Sequence, residues 1–297
     1  MQSKQGLIIK LIGGQYSVFD YESHLTYVCK PRGVFRHKDV NPKVGDHVVF
    51  EAADQKHGTI VEVGPRRNDL VRPYIANVDK AILVFSVKKP ELNLNLLDRF
   101  LALIEFNNIE PILIFSKMDL LDKLSHDEVV GYTNYYQNLG YITYHTSVYS
   151  MDKSILLNEI KGKVCVISGQ SGVGKSSLLN AIDPNLNLKT DEISEALNRG
   201  KHTTRHVELI PLNDGWIADT PGFGLLEFHD MNEIDLAHSF KEFFEKSDKC
   251  KFNGCLHDKE PNCAIKKAVA TKEIMLSRYE NYISLLNEIR EKNKNKY

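Results

Sequence analysis

The chain has 297 residues, 42% hydrophobic and 26% charged, the balance of an ordinary globular protein of about two domains. Its 38 basic and 39 acidic residues leave a formal net charge of -1, so no global field recruits nucleic acid and any basic surface must be local. No apolar run approaches the roughly 20 residues of a membrane helix, and the opening MQSKQGLIIKLIGG lacks a secretory cleavage pattern; a cytoplasmic protein with no membrane partner is expected.

Residues 1–70 read as a small β domain. Short apolar runs recur at Leu7–Ile12, Tyr16–Phe19, Thr26–Cys29, His47–Glu51 and Gly58–Val63, separated by Gly, Pro and Asp. Five short strands in this length fit an OB-fold barrel. The stretch Lys30-Pro-Arg32-Gly-Val-Phe35-Arg36-His37-Lys38 is locally basic and carries an aromatic residue, a pattern that suits a single-stranded nucleic acid or simply a solvated face. Cys29 and Cys165 stand alone in apolar runs and read as small buried hydrophobes. Arg66–Leu70 reads as the exit from the barrel.

From 71 to 225 the texture becomes that of an α/β domain. Ala81–Val87 is a buried-strand run, and Leu92–Asn107 has helical periodicity. Strand Pro111–Phe115, a helix near 125–139 and strands Tyr141–Thr146 and Lys163–Ser168 follow. A helix from Lys175 and strands His206–Leu212 and Trp216–Ala218 complete a pattern that predicts a parallel, doubly wound sheet.

Strand Ile112–Phe115 runs into Ser116-Lys117-Met118-Asp119, close to NKxD. In that motif the Asp carboxylate accepts from the guanine N1–H and exocyclic amine, a donor pair adenine lacks, while the Lys stem packs along the base. Ser116 replaces the usual Asn and loses an amide. At the end of the next strand, Thr146-Ser147 is placed for a backbone N–H to meet guanine O6.

Val164–Ser168 then leads into Gly169-Gln170-Ser171-Gly172-Val173-Gly174-Lys175-Ser176-Ser177, the GxxxxGK[ST] phosphate loop between a strand and a helix. Glycines let backbone N–H groups turn toward phosphate oxygens, and the helix N-terminus adds its positive end. Lys175 is expected to reach the β/γ-phosphates and Ser176 to bind Mg²⁺. Downstream, Arg199-Gly-Lys-His202-Thr203-Thr204-Arg205 is either a polar surface turn or a switch segment whose Thr completes the Mg²⁺ shell, with Thr204 favoured over Thr203. Asp219-Thr-Pro-Gly222 ends a strand, where the Asp holds Mg²⁺ through water and the Gly N–H meets the γ-phosphate. The next residue is Phe223, where many small GTPases carry the Gln that orients the attacking water. Phe cannot hydrogen-bond water, so slow intrinsic hydrolysis is expected, with His202 the candidate catalytic group beside Lys175 and Thr204.

Residues 226–297 show no strand pattern. A helix is expected around Phe240, Phe243 and Phe244, and another along Tyr279, Tyr282, Ile283, Leu286 and Ile289, with a frayed Lys-rich tail from Glu291. Between them Cys250-x₄-Cys255-x-His257-x₅-Cys263 supplies three thiolates and one imidazole. That set points to one structural Zn²⁺, since no ligand position is left for water.

The base motif precedes the phosphate loop, the reverse of an ordinary small GTPase. Joining the usual termini and opening the chain elsewhere builds the same sheet. With the GQSGVGKSS loop, His202-Thr203-Thr204, Asp219-Thr-Pro-Gly222, Ser116-Lys-Met-Asp119 and the Cys cluster, the chain resembles the RsgA (YjeQ/YloQ) family of circularly permuted GTPases over essentially its full length. The resemblance implies an OB-fold over 1–70, a permuted P-loop GTPase domain over 71–225 and a helical zinc domain over 226–297. It also implies GTP/GDP and Mg²⁺ as ligands, support for His202 in catalysis, and docking on the small ribosomal subunit and its rRNA late in subunit maturation, as a monomer. The competing reading is a GTP-regulated RNA-binding module with little catalysis of its own, which Phe223 keeps open.

Overall fold

The computed structural model describes residues 3–33, 35, 41–71, 73–147, 153–186, 207–219, 228 and 231–294. Five strands, β1 (Ser3–Ile12), β2 (Gln15–Asp20), β3 (Thr26–Pro31), β4 (His47–Ala52) and β5 (His57–Val63), close into a barrel in the order β1-β2-β3-β5-β4. Only the β3–β5 pair is parallel. Alternate residues point inward, so Leu7, Val18, Cys29, Phe50 and Ile60 fill the interior. Each such aliphatic side chain contributes about 1.5–3 kcal/mol on burial. The five strands sit where the sequence places them, none extended by more than four residues at either end.

The remaining strands are β6 (Asp69–Leu70), β7 (Ile75–Ala76), β8 (Lys80–Ser86), β9 (Glu110–Ser116), β10 (Ile142–His145), β11 (Val164–Ser168), β12 (Leu209–Leu212) and β13 (Gly215–Asp219). Six of them hydrogen-bond in the order β10-β9-β8-β11-β13-β12. The pairs β9–β10 and β11–β13 are parallel, as the alternation of strands and helices predicts. Strand β12 departs from that expectation and runs antiparallel to β13. A two-residue hairpin joins them, with Asn213 at φ 48° and Asp214 at φ 59°, and so short a turn can only reverse the chain.

The helices are α1 (Leu94–Phe106), α2 (Lys123–Asn138), α3 (Lys153–Ile160), α4 (Lys175–Ile182), α5 (Glu233–His238), α6 (Lys241–Lys246), α7 (Ala264–Ala270) and α8 (Leu276–Lys294). Asn93 caps α1 by accepting from the Leu96 N–H, and Asp122 caps α2 by accepting from Ser125 N–H. A reciprocal capping box of Asn232 and Asp235 starts α5. Helix α3 was not expected, because eight residues show too little periodicity. The tail expected to fray is helical through Lys294, and Lys292 Nζ donates to the Phe228 carbonyl at 3.1 Å.

The chain divides into two compact units. The first comprises Met1–Ile82 and Met151–Gly224, and so holds the barrel with β11, β12, β13, α3 and α4. Within it Phe19 of the barrel meets Trp216 of β13 edge to face at 5.0 Å, and Lys10 pairs with Glu208 at 2.7 Å. The second comprises Leu83–Ser150 and Leu225–Tyr297. Its C-terminal core gathers Leu236, Phe240, Phe243, Ile265, Tyr282, Leu285, Leu286 and Ile289, and Ala102, Leu103 and Phe106 of α1 belong to the same cluster. No helix among the described residues is long and apolar enough to cross a membrane.

Candidate functional site

In the first unit, β11 is buried along its whole length and delivers the chain to Gly169. Gly169, Gly172 and Gly174 take φ of 151°, 75° and 99°, conformations open to glycine and strained for other residues. A Cβ at Gly172 or Gly174 would meet nothing within 4 Å, so these positions need glycine for backbone shape rather than for space. Val173 is fully buried and pins the loop from beneath. Helix α4 starts with no side chain capping it, Gly174 being its N-cap. Lys175 Nζ donates to the carbonyls of Gly169 and Gln170 at 2.8 and 2.9 Å, which folds the cation over the loop. Ser176 is buried, whereas Ser171 and Ser177 are exposed and Gln170 is half-buried. On the adjoining strand, Asp219 is the register partner of Ile167. The phosphate loop and Asp219 thus stand at the same end of neighbouring parallel strands. His202, Thr204 and Gly222 lie outside the described residues.

In the second unit, β9 ends at Ser116, whose hydroxyl donates to the Phe85 carbonyl at 3.3 Å. Lys117 takes φ 63° and turns the chain into a short 3₁₀ turn over Met118–Leu120. Its ammonium donates to the Lys89 carbonyl. Asp119 is exposed on this turn. The Met118 N–H donates to the Thr146 carbonyl at 3.2 Å, and Thr146 N–H donates to the Phe115 carbonyl at 2.8 Å. These bonds bring Ser147 beside the Ser116–Asp119 loop, as the reading of both as one base-binding element requires.

Cys250, Cys255, His257 and Cys263 converge with all four ligand atoms within 4.8 Å of one another. Cys250 Sγ lies 3.7 Å from His257 Nδ1 and 3.9 Å from Cys263 Sγ, and Cys263 Sγ lies 3.4 Å from the same Nδ1. Tetrahedral Zn²⁺ with its usual bond lengths separates two thiolates by about 3.8 Å and a thiolate from an imidazole nitrogen by about 3.6 Å. The four residues fit that ion, with Nδ1 as the imidazole ligand. Burial pushes the Cys255 thiol up to about 12 and the His257 imidazole down to about 4. A buried divalent cation would replace the thiol protons. The knuckle is held from outside. Tyr279 donates to the His257 carbonyl at 2.8 Å and Tyr282 to the Leu256 carbonyl at 2.6 Å. Glu260 accepts from the Leu256 and Asp258 N–H groups.

One expectation changes. Phe35, the aromatic residue of the basic stretch read as suiting single-stranded nucleic acid, is only 8% exposed, and its N–H donates to the Arg32 carbonyl at 3.1 Å. It is a core residue. Arg36, His37 and Lys38 lie outside the described residues.

Comparison with known proteins decides the family. The family described as RsgA GTPase matches residues 63–229, and the RsgA N-terminal domain matches residues 5–60. The chain belongs to the RsgA GTPase family. A small ribosomal subunit biogenesis GTPase RsgA from Bacillus subtilis is 48% identical over 292 residues, 97% of this chain and 98% of that protein. Its counterpart from Bacillus cereus is 50% identical over 289 residues, with the same shares covered. The crystal structure of YloQ, described as a circularly permuted GTPase, superposes with a TM-score of 0.85 at 43% identity, covering 98% of this chain and 96% of that one. YjeQ from Thermotoga maritima gives 0.86 at 38%, covering 97% and 99%. The RsgA GTPase match spans both the base loop and the phosphate loop, in the permuted order seen here. The RsgA N-terminal match falls on the barrel.

Two features of this RsgA-family chain escaped the sequence. Arg278 is the largest fully buried side chain among the described residues. It lies four residues before Tyr282 on the buried stripe of α8, a signal that marks it as inward but not what it meets. Asp98 is likewise buried on the apolar face of α1, as a lone acid inside a hydrophobic period.

Proposed function

We propose that the chain is a GTPase of small-ribosomal-subunit maturation, stimulated by the subunit on which it acts. The observation that carries this reading is the glycine loop from β11 to α4 with Asp219 in register beside it. The full-length similarity to proteins named small ribosomal subunit biogenesis GTPase supports it.

In this reading Gly169–Gly174 and Ser177 wrap the phosphates, Lys175 neutralises the β/γ oxygens, and Ser176, Thr204 and Asp219 hold Mg²⁺. Gly222 senses the γ-phosphate. Asp119 selects guanine, Lys117 and Met118 flank the base, and Ser147 approaches O6. His202 orients the attacking water, because Phe223 cannot. Cys250, Cys255, His257 and Cys263 hold one structural Zn²⁺. The working protein is a cytoplasmic monomer with the functional division 1–70, 71–225 and 226–297, and rRNA is part of its docking surface.

The deciding experiment is GTP turnover titrated with purified small subunits. Saturable stimulation supports the proposal. Guanine nucleotide binding with turnover that no subunit concentration raises would favour the GTP-regulated RNA-binding module that Phe223 also suggests.

A further inference from the structure

Asp98, Glu242 and Arg278 form a charged cluster almost closed to water, with exposures of 0%, 2% and 1%. Arg278 Nη1 donates to Asp98 Oδ1 at 2.5 Å, and Nε donates to Glu242 Oε1 at 2.7 Å. The guanidinium lies 4.2 Å from the Phe240 ring centroid. Asp98 takes two more donors, the Tyr136 hydroxyl at 2.7 Å and the Asn281 amide at 2.6 Å. Tyr135 donates to Glu242 at 3.3 Å. The guanidinium pairs with both carboxylates, and Tyr136, Asn281 and Tyr135 supply the neutral donors around them. Such clusters are weak contributors to net stability but fix geometry, since a charge left alone in the interior is strongly unfavourable.

Four helices meet there: α1 through Asp98, α2 through Tyr135 and Tyr136, α6 through Glu242, and α8 through Arg278 and Asn281. Chain order gives the meeting a consequence. Helix α1 ends at Phe106, and β9 begins at Glu110; β9 ends at Ser116, and α2 begins at Lys123. The segment that carries Ser116–Asp119 is therefore tethered at both ends to the two helices that Asp98 and Tyr136 bond together. The local bonds of the loop fix its shape. The helix pair fixes where the strand presents it.

We propose that Arg278 is a positioning residue for guanine recognition. Through Asp98 and Tyr136 it holds α1 and α2 at the spacing that presents Asp119, so the C-terminal helices set affinity for the base. Affinity for the phosphate chain alone is independent of it. The proposal rests on the reading of Asp119 as the base acceptor. Its further meaning is that a partner bound to the C-terminal helices acts on nucleotide release through the base.

The test is calorimetric titration of the full-length, zinc-loaded protein with GDP, IDP and pyrophosphate in the presence of Mg²⁺. IDP lacks the exocyclic amine that Asp119 would accept from. Arg278→Met is expected to weaken GDP by about tenfold and to narrow the GDP/IDP ratio by a similar factor, with pyrophosphate unchanged. Arg278→Lys, which keeps a cation between the carboxylates, is expected to recover part of the loss. Tyr136→Phe removes one hydroxyl from the cluster, keeps the ring, and carries the test if Arg278→Met does not fold; a smaller loss of the same pattern is expected. An unchanged GDP/IDP ratio in folded Arg278→Met or Tyr136→Phe overturns the proposal. So does a parallel loss of pyrophosphate affinity, which marks general loosening. Asp119→Asn separates the two levels: an unchanged GDP/IDP ratio there sinks the base assignment itself, whatever Arg278 does.

Discussion

Ile167 and Asp219 are register partners across the parallel pair β11–β13, and the phosphate loop begins two residues beyond Ile167. The register places the residue expected to hold Mg²⁺ next to the loop expected to hold phosphate. Asp219→Ala is therefore expected to lower single-turnover GTP hydrolysis by on the order of 10²-fold or more, through loss of charge stabilisation at the transferring phosphate. Hydrolysis measured across a Mg²⁺ titration checks it; a rate and Mg²⁺ midpoint equal to wild type would refute the assignment.

Lys175 donates to the Gly169 and Gln170 carbonyls of its own loop. Removing its ammonium should leave the fold intact and abolish GTP binding or turnover with and without small subunits. Thermal melting alongside a nucleotide-binding titration separates these effects. Full turnover in a folded Lys175→Ala protein would remove the loop from the mechanism.

Asp119 is exposed on the 3₁₀ turn that follows β9, and the proposed role is to accept from guanine. Asp119→Asn turns part of its acceptor pair into a donor, and preference is expected to move from GTP toward XTP by about tenfold or more. Competition between the two nucleotides gives the answer, and unchanged GTP preference contradicts base selection by this residue.

The Cys₃His site should bind one Zn²⁺ per chain, measurable by elemental analysis of protein purified without chelator. Cys255→Ser is expected to lose the metal and to loosen the core around Phe243, Tyr282 and Leu286, because the knuckle is bonded to α8 through Tyr279 and Tyr282. Pyrophosphate binding at the phosphate loop should survive. Hydrogen exchange of α8 amides in wild type and variant reads the loosening; equal protection in both rules out a structural metal.

For His202 the expected signature is a split between binding and rate. His202→Ala should leave GTP affinity nearly intact and remove most of the subunit-stimulated rate, on the order of 10²-fold for water-positioning or general-base work. Single-turnover hydrolysis with and without small subunits measures it. Stimulation as strong as in wild type places the catalytic group elsewhere.

Much of this molecule is legible because its signals are local. Glycines at fixed offsets between a strand and a helix announce the phosphate loop, and three Cys with one His within fourteen residues announce the metal knuckle. The order of the motifs reveals the permutation without any coordinates. What escaped the sequence is long-range or too short to have a period. Helix α3 has eight residues, and the reversal of β12 depends on two turn residues, Asn213 and Asp214. The basic stretch around Phe35 shows another limit: an aromatic among cations looks exposed until its burial is known. The Asp98–Arg278 pair joins positions 180 apart, and no pattern along the chain links an acid on one helix to a base on another.

That separation also has a meaning in time. During synthesis from the N-terminus, Asp98 and Tyr136 emerge long before Arg278 exists. At about 5–20 residues per second the wait from Asp98 to Arg278 is on the order of 10–40 s. Over that interval α1 carries a carboxylate without its cation and an apolar edge at Ala102, Leu103 and Phe106 without its covering helices. The folded spacing of α1 and α2 is thus completed only after α8 has been made.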